Sequence, residues 1–286
     1  MDSLVLSLFP GAGLLDRGFE QAGFVVVRGP DTVFGQDIRG FKIFPGPFTG
    51  IVGGPPCQDF SRGRLRPPKG YGAQMLAEFR RLITEGQPDW WLMENVPTVP
   101  DMIIAGYVTQ RFNLFASEFG CRQRRNRSFQ FGSRDGVKLV LMRTQSQQRI
   151  QPAVLATEAK GKRHWFAKKE TRRGFADACE LQGLPRKFNL PGLSRTAKYR
   201  AVGNGVPVPM ARAVAEAIRD RGVTEARLCL CDCGRPVTGK QVMATAACRK
   251  RMQRLRAELS HELPEIHTGT VTLPRKVTPR KVTARY

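Results

Sequence analysis

The chain has 286 residues, 41% of them hydrophobic, and carries 47 Lys and Arg against 24 Asp and Glu, a formal charge of +23. That is enough chain to bury a full core; no run approaches the ~18 apolar residues of a membrane span, and the apolar start MDSLVLSLFPGAG lacks the basic lead and cleavage site of a signal peptide, so a cytoplasmic protein is expected. So large a positive excess points to a polyanionic partner, DNA or RNA, and seven scattered cysteines argue for individual chemistry rather than a disulfide framework.

In chain order, SLVLSLF reads as a first strand and GLLDRGFEQAG as a helix with Leu14, Leu15, Phe19 and Ala22 on one face. FVVV gives a second strand, residues 48–53 a third that a double glycine stops, and residues 73–85 an amphipathic helix. Residues 89–96 form a strand leading into Pro97, and residues 129–132 a last short strand. Short apolar runs alternating with helical ones mark an α/β sheet. From 133 to about 173 the pattern weakens, and basic residues interleave with His164, Trp165 and Phe166. ADACELQGLP restores a helix, and PVPMARAVAEAIRDRG a better one, with proline at its start and glycine at its stop. After Gly222 come Cys229, Cys231, Cys233 and Cys248, a basic helix over 245–259, and the repeat LPRKVTPRKVT, too poor in core-forming residues to pack.

The stretch GGPPCQDFS, 53–61, sets two glycines and two prolines against a single thiol. Such restriction aims Cys57 from a strand end, as a nucleophile requires; the adding species is a thiolate, partly ionised near neutral pH. FPGAG, 9–13, lies between the first strand and helix, where glycines let a ligand approach the backbone and the helix N-terminus. MENVP, 93–97, puts Glu94 at a strand end, QRRNRSFQFG holds Gln123, Arg125 and Arg127, and AVGNGVPVP, 201–209, closes the series. In this order the five motifs resemble those of the DNA (cytosine-5) methyltransferase family, over roughly residues 3–218.

The resemblance implies an α/β, Rossmann-like S-adenosylmethionine-dependent methyltransferase sheet with a short target-recognition region and a basic C-terminal extension. The implied division is 1–132 for the catalytic and cofactor-binding core, 133–173 for target recognition, and 174–222 for the part of the core with the closing motif. A Cys-containing basic extension, 223–260, and a basic tail, 261–286, follow. The implied reaction transfers a methyl group from S-adenosylmethionine to cytosine C5 in double-stranded DNA, through a covalent Cys57–C6 adduct with the base flipped out. Glu94 holds or protonates N3, and Arg127 with Arg125 grips O2. Phe9, Gly11, Ala12, Gly13, Pro56, Asn204 and Val206 fall to the cofactor, with Asp37 on the adenine amine and Asp31, in VVVRGPD, the nearest acid for the ribose. Residues 61–72 resemble the loop that closes over the flipped base; Gln58, Ser61, Arg62, Arg64 and Gln123 fall to DNA. In the short recognition interval only His164, Trp165, Arg172 and Arg173 look equipped to read bases, which implies a target of about two to four defined bases.

CDCGRPVTG resembles one knuckle of a zinc ribbon, but C-x-C-x-C followed by a lone Cys248 departs from paired C-x2-C units. The spacing favours a metal-free basic helical hairpin over a zinc site, and the helix lies on phosphates in either case. Two other readings are an RNA (tRNA) cytosine-5 methyltransferase and a non-catalytic DNA-binding protein on the same scaffold. Against the first, GGPPCQDFS lacks that branch's Thr-for-Ser ending; against the second, Cys57, Glu94 and the arginines are all present. A monomer on DNA is expected, whether a restriction partner, an orphan or a phage-borne enzyme.

Overall fold

The computed structural model describes residues 4–61, 67–160, 173–221, 229–231, 233–235, 237 and 241–262. The chain divides into two units, Met1–Ala244 and Thr245–Tyr286. Among the described residues no helix is long and apolar enough to cross a membrane.

The first unit is built on β1 (Leu4–Leu8), α1 (Leu14–Gln21), β2 (Val25–Arg28), β3 (Gly50–Gly53), α2 (Tyr71–Gly86) and β4 (Trp90–Asn95). Then come β5 (Val108–Phe115), β6 (Gln123–Arg124), β7 (Asn126–Ser133), β8 (Gln151–Pro152), α3 (Phe175–Leu181), α4 (Arg195–Asn204) and α5 (Val208–Arg219). One six-stranded sheet has the order β2-β1-β3-β4-β7-β5, and β6 pairs with β8 in a small second sheet. β2, β1, β3 and β4 run parallel; β7 is antiparallel to both its neighbours.

Alternation along the central strands sorts the core onto two faces. Val5, Val52, Trp90 and Leu92 point to one, where Phe19 of α1 and Val214 and Ile218 of α5 cover them. Leu6, Leu8, Ile51, Trp91 and Met93 point to the other, under Phe79, Leu82 and Ile83 of α2. A buried polar tie fixes α1 to the sheet: Ser7 Oγ donates to Asp16 Oδ1 at 2.5 Å and Arg28 Nε to Oδ2 at 2.8 Å. Burial nonetheless pushes the Asp16 carboxyl up from its ordinary value.

Three elements differ from the sequence expectation. The strand expected over 129–132 is the eight-residue β7, lying between β4 and β5. β5 has no apolar run, because its buried side carries Gln110 together with Phe112 and Leu114. The Gln110 amide is satisfied by the backbone of Leu139, taking its N–H at 2.8 Å and donating to its carbonyl at 3.3 Å. α4 is mostly polar, and rests on a Ser194 cap and on burial of Tyr199 and Val202. The second unit contains α6 (Ala246–Glu262), a little longer than the basic helix expected there.

α1 and α5 touch at Gly18, where a Cβ would lie 2.4 Å from Ala211 Cβ and 2.6 Å from the Arg212 backbone nitrogen. Since backbone cannot move aside as a side chain can, Gly18→Ala should destabilise the fold by about 1–3 kcal/mol. Urea unfolding checks this: the midpoint should fall at constant m-value, and an unmoved midpoint contradicts such close helix packing.

Candidate active site

Parallel strands deliver their carboxyl ends to one edge of a sheet, and the loops leaving β1, β3 and β4 meet there. Gly53 stands opposite Met93 in the register, which brings Gly54 beside Glu94. A Cβ on Gly53 would sit 2.7 Å from the Phe79 ring and 2.8 Å from the Leu8 carbonyl oxygen; one on Gly54 would sit 3.3 Å from Glu94 Oε2. The double glycine is thus set by two close approaches, to the core and to the carboxylate. Asn95 Nδ2 donates to the Pro55 carbonyl at 3.0 Å, and the Cys57 carbonyl accepts the N–H groups of Phe60 and Ser61, both at 3.0 Å. Cys57 therefore heads a tight turn, half-buried, with Gln58 exposed next to it.

β7 returns antiparallel beside β4 with Phe129 opposite Glu94, so Arg127 is the diagonal neighbour on the same face. Arg127 Nε lies 2.7 Å from Glu94 Oε1. Burial pushes the Glu94 carboxyl up, and the two arginines oppose that shift. Burial also pushes the Cys57 thiol up, Glu94 adds to it, and Arg127 offsets part. Burial and a charge on Glu94 thus work against ionisation of Cys57, and Arg127 works for it.

Arg125 is buried and directs its guanidinium away from this pair. Nη1 donates to the Val154 carbonyl at 2.9 Å, and Nη2 to the carbonyls of Gly203 and Asn204 at 2.8 and 3.0 Å. It ties the closing motif to the site, which makes it a positioning residue. Gln123 is corrected from a DNA contact to a packing residue, since it is fully buried. Its Nε2 donates to the Leu181 carbonyl at 2.5 Å and Gln182 Oε1 at 2.7 Å, and its Oε1 accepts the Val154 N–H at 3.2 Å. Arg173 is likewise spent inside the protein, on the Pro152 and Ala153 carbonyls and on Glu158. Arg62, Arg64 and Arg172, with His164 and Trp165, lie outside the described residues.

In FPGAG, Phe9, Gly11 and Gly13 all take positive φ, at 55°, 55° and 70°. A Cβ on Gly11 would meet nothing within 4 Å, so the turn before α1 leaves open space over its backbone. Asp31 braces it, accepting Gly11 N–H at 2.8 Å and Val33 N–H at 2.7 Å. The closing motif packs on the same place: a Cβ on Gly205 would lie 2.8 Å from Leu14, and Val206 is buried. Ala12 and Pro56 are half-buried and Asn204 exposed. Asp37 is exposed and held by Arg39, whose hydrogen bonds lower its carboxyl to about 2.

Sequence reasoning missed Asp59, Asn95 and Gln182. Asp59 accepts Lys69 N–H at 3.0 Å and Gly72 N–H at 2.6 Å, which ties the residue two past Cys57 to the start of α2. Gln182 donates to the Val202 carbonyl at 2.5 Å and the Gly205 carbonyl at 3.1 Å. A glutamine following the apolar helix residues of ADACEL was the one available signal for it.

A thiol, a buried carboxylate and an arginine thus share the carboxyl edge of the sheet with an open glycine turn. The profile of the C-5 cytosine-specific DNA methylases matches residues 30–171 and 141–220, and the chain belongs to that family. It is similar to the type II methyltransferase M.NgoPII of Neisseria gonorrhoeae, 31% identical over 167 residues, 47% of this chain and 49% of that protein. Likeness to M.FnuDI of Fusobacterium nucleatum is 32% over 166 residues, 47% and 48% of the two chains. The chain spans about half the length of these curated relatives. In fold it is like the Entamoeba histolytica methyltransferase EhMeth, with TM-score 0.57 at 12% identity over 79% of this chain and 100% of that one.

Because Glu94 raises the Cys57 pKa, Glu94→Gln should lower it and increase the alkylation rate of Cys57 by iodoacetamide at pH 8. Mass spectrometry of the Cys57 peptide reads the rate; an equal or slower rate contradicts the coupling.

Proposed function

We propose that the protein is an S-adenosylmethionine-dependent DNA (cytosine-5) methyltransferase acting as a monomer on double-stranded DNA, in the cytoplasm, as a modification enzyme. The observation that carries the reading is the Glu94–Arg127 pair at the carboxyl edge of the sheet, beside the Gly54 backbone that leads into Cys57. The Cys57 sulfur adds to C6 of a cytosine flipped from the duplex, a displacement that costs a few kcal/mol. Glu94, which burial inclines to hold a proton, carries that proton toward ring N3. While protonated it no longer opposes the Cys57 thiolate, so the proton lost by sulfur is balanced by the one gained at the carboxyl–N3 pair. Arg127, released from Glu94, turns to the ring O2, where negative charge develops. When Glu94 has given its proton to N3, Arg127 is again its counter-ion.

Residues 9–13, Asp31, Asp37, Pro56, Asn204 and Val206 are the groups that would hold the cofactor, and the open backbone at Gly11 before a helix N-terminus fits such a ligand. S-adenosylmethionine supplies an electrophilic methyl to C5. Loss of the C5 proton and elimination of Cys57 release 5-methylcytosine. Residues 61–72 would close on the extruded base, with Asp59 holding the Lys69 and Gly72 N–H groups near their end.

A tritiated-methyl transfer assay tests the reading. Wild type should label duplex DNA; Cys57→Ser should give no transfer with cofactor binding near normal, and Glu94→Gln should lose about 10²–10⁴-fold in kcat. Transfer by Cys57→Ser, or labelling of tRNA with none of DNA, overturns it.

A further inference from the structure

Of the buried cysteines that the proposed reaction does not use, three lie together in sequence and in space. Cys229, Cys231 and Cys233 are 1%, 3% and 5% exposed, and their sulfurs lie within 4.8 Å of one another. Cys229 Sγ and Cys231 Sγ are 3.4 Å apart. A disulfide would hold them at about 2.0 Å, whereas tetrahedral zinc with bonds of about 2.3 Å places sulfurs about 3.8 Å apart. The spacing between these thiols is that of ligands around a common centre.

The local backbone is shaped for this. Cys229 N–H donates to the Arg235 carbonyl at 2.8 Å, Leu230 N–H to the Val242 carbonyl at 2.8 Å, and Gly234 turns the chain with φ 71°. Ala244 N–H donates to Cys229 Sγ at 3.1 Å, the kind of contact that orients a metal-bound thiolate. The knuckle is seated on the rest of its unit: Leu141 N–H donates to the Gly234 carbonyl at 3.0 Å and Arg143 Nη2 to the Cys233 carbonyl at 3.1 Å. Arg235 and Arg143 both reach Glu118 Oε1, at 2.7 and 2.6 Å. The three sulfurs converge without the paired C-x2-C spacing that a ribbon uses, which favours the zinc alternative over the metal-free one.

We propose that Cys229, Cys231 and Cys233 bind one zinc ion as thiolates. Soft thiolates select zinc over harder cations, and three of them leave one position of a tetrahedral ion for a further ligand. Zinc binding displaces one proton from each thiol and leaves the metal redox-silent.

The full chain, produced with zinc in the medium and purified in a non-thiol reductant without chelator, should contain about one zinc per molecule by plasma mass spectrometry. Cobalt in its place should give the visible bands of a tetrahedral thiolate site. Cys229→Ala and Cys231→Ala should each lose at least roughly 100-fold in zinc affinity by chelator competition, since outer-shell partners alone are worth 10–100-fold. Cys231→His should restore binding with a shifted cobalt spectrum, and Cys57→Ser should keep its zinc, which separates ligand loss from misfolding and from failure of the catalytic reading. Absence of stoichiometric zinc, iron in its place, disulfides among these cysteines, or an unchanged cobalt spectrum in Cys231→Ala overturns the proposal.

Discussion

The Glu94–Arg127 ion pair is the interaction on which the site depends. Its two members sit on antiparallel neighbours, β4 and β7, as a diagonal pair, so strand register alone decides whether they meet. Removing Glu94 would leave the partly buried Arg127 guanidinium without its counter-ion, and removing Arg127 would let burial push the Glu94 carboxyl further toward its protonated form. A charge on Glu94 raises the Cys57 thiol and Arg127 offsets part of that, and in the proposed reaction the same carboxyl would serve both the nucleophile and the ring nitrogen.

The remainder of the first unit keeps that pair and the thiol in fixed relation. Gly53 and Gly54 allow β3 to press against Phe79 and Glu94, and Asn95 holds the next residue, Pro55, by its carbonyl. Arg125, beside Arg127 in sequence, works in the opposite direction: it ties the 203–204 backbone to the site from beneath. Two residues apart in one motif, the arginines divide into one facing the carboxylate and one facing the scaffold. Gln123 and Gln182 extend that scaffold through a buried amide chain to α3 and the end of α4.

Much of this was legible in the sequence. The parallel strands announced themselves through apolar runs, and Cys57, Glu94 and Arg127 through motifs whose residue types fit one chemistry. What stayed hidden has physical causes. β5 conceals itself because Gln110 stands in its buried row, satisfied by a backbone that only the fold supplies. Gln123 and Arg173 look like DNA contacts because polar and basic side chains in a basic chain carry no mark of burial; their partners are backbone carbonyls and Glu158, Gln182 and Val154, 15 to 59 residues away in sequence. The convergence of Cys229, Cys231 and Cys233 depends on a turn at Gly234 that spacing rules do not anticipate.

The central claim, a nucleophilic Cys57 whose attack is coupled to Glu94, is tested most directly by trapping. A DNA duplex carrying 5-fluorocytosine, incubated with the protein and S-adenosylmethionine, should give a covalent complex, because fluorine at C5 cannot leave as a proton does. Peptide mapping should place the adduct on Cys57, and Glu94→Gln should form it far more slowly. A duplex that leaves the protein unmodified, or an adduct on another residue, would contradict the account.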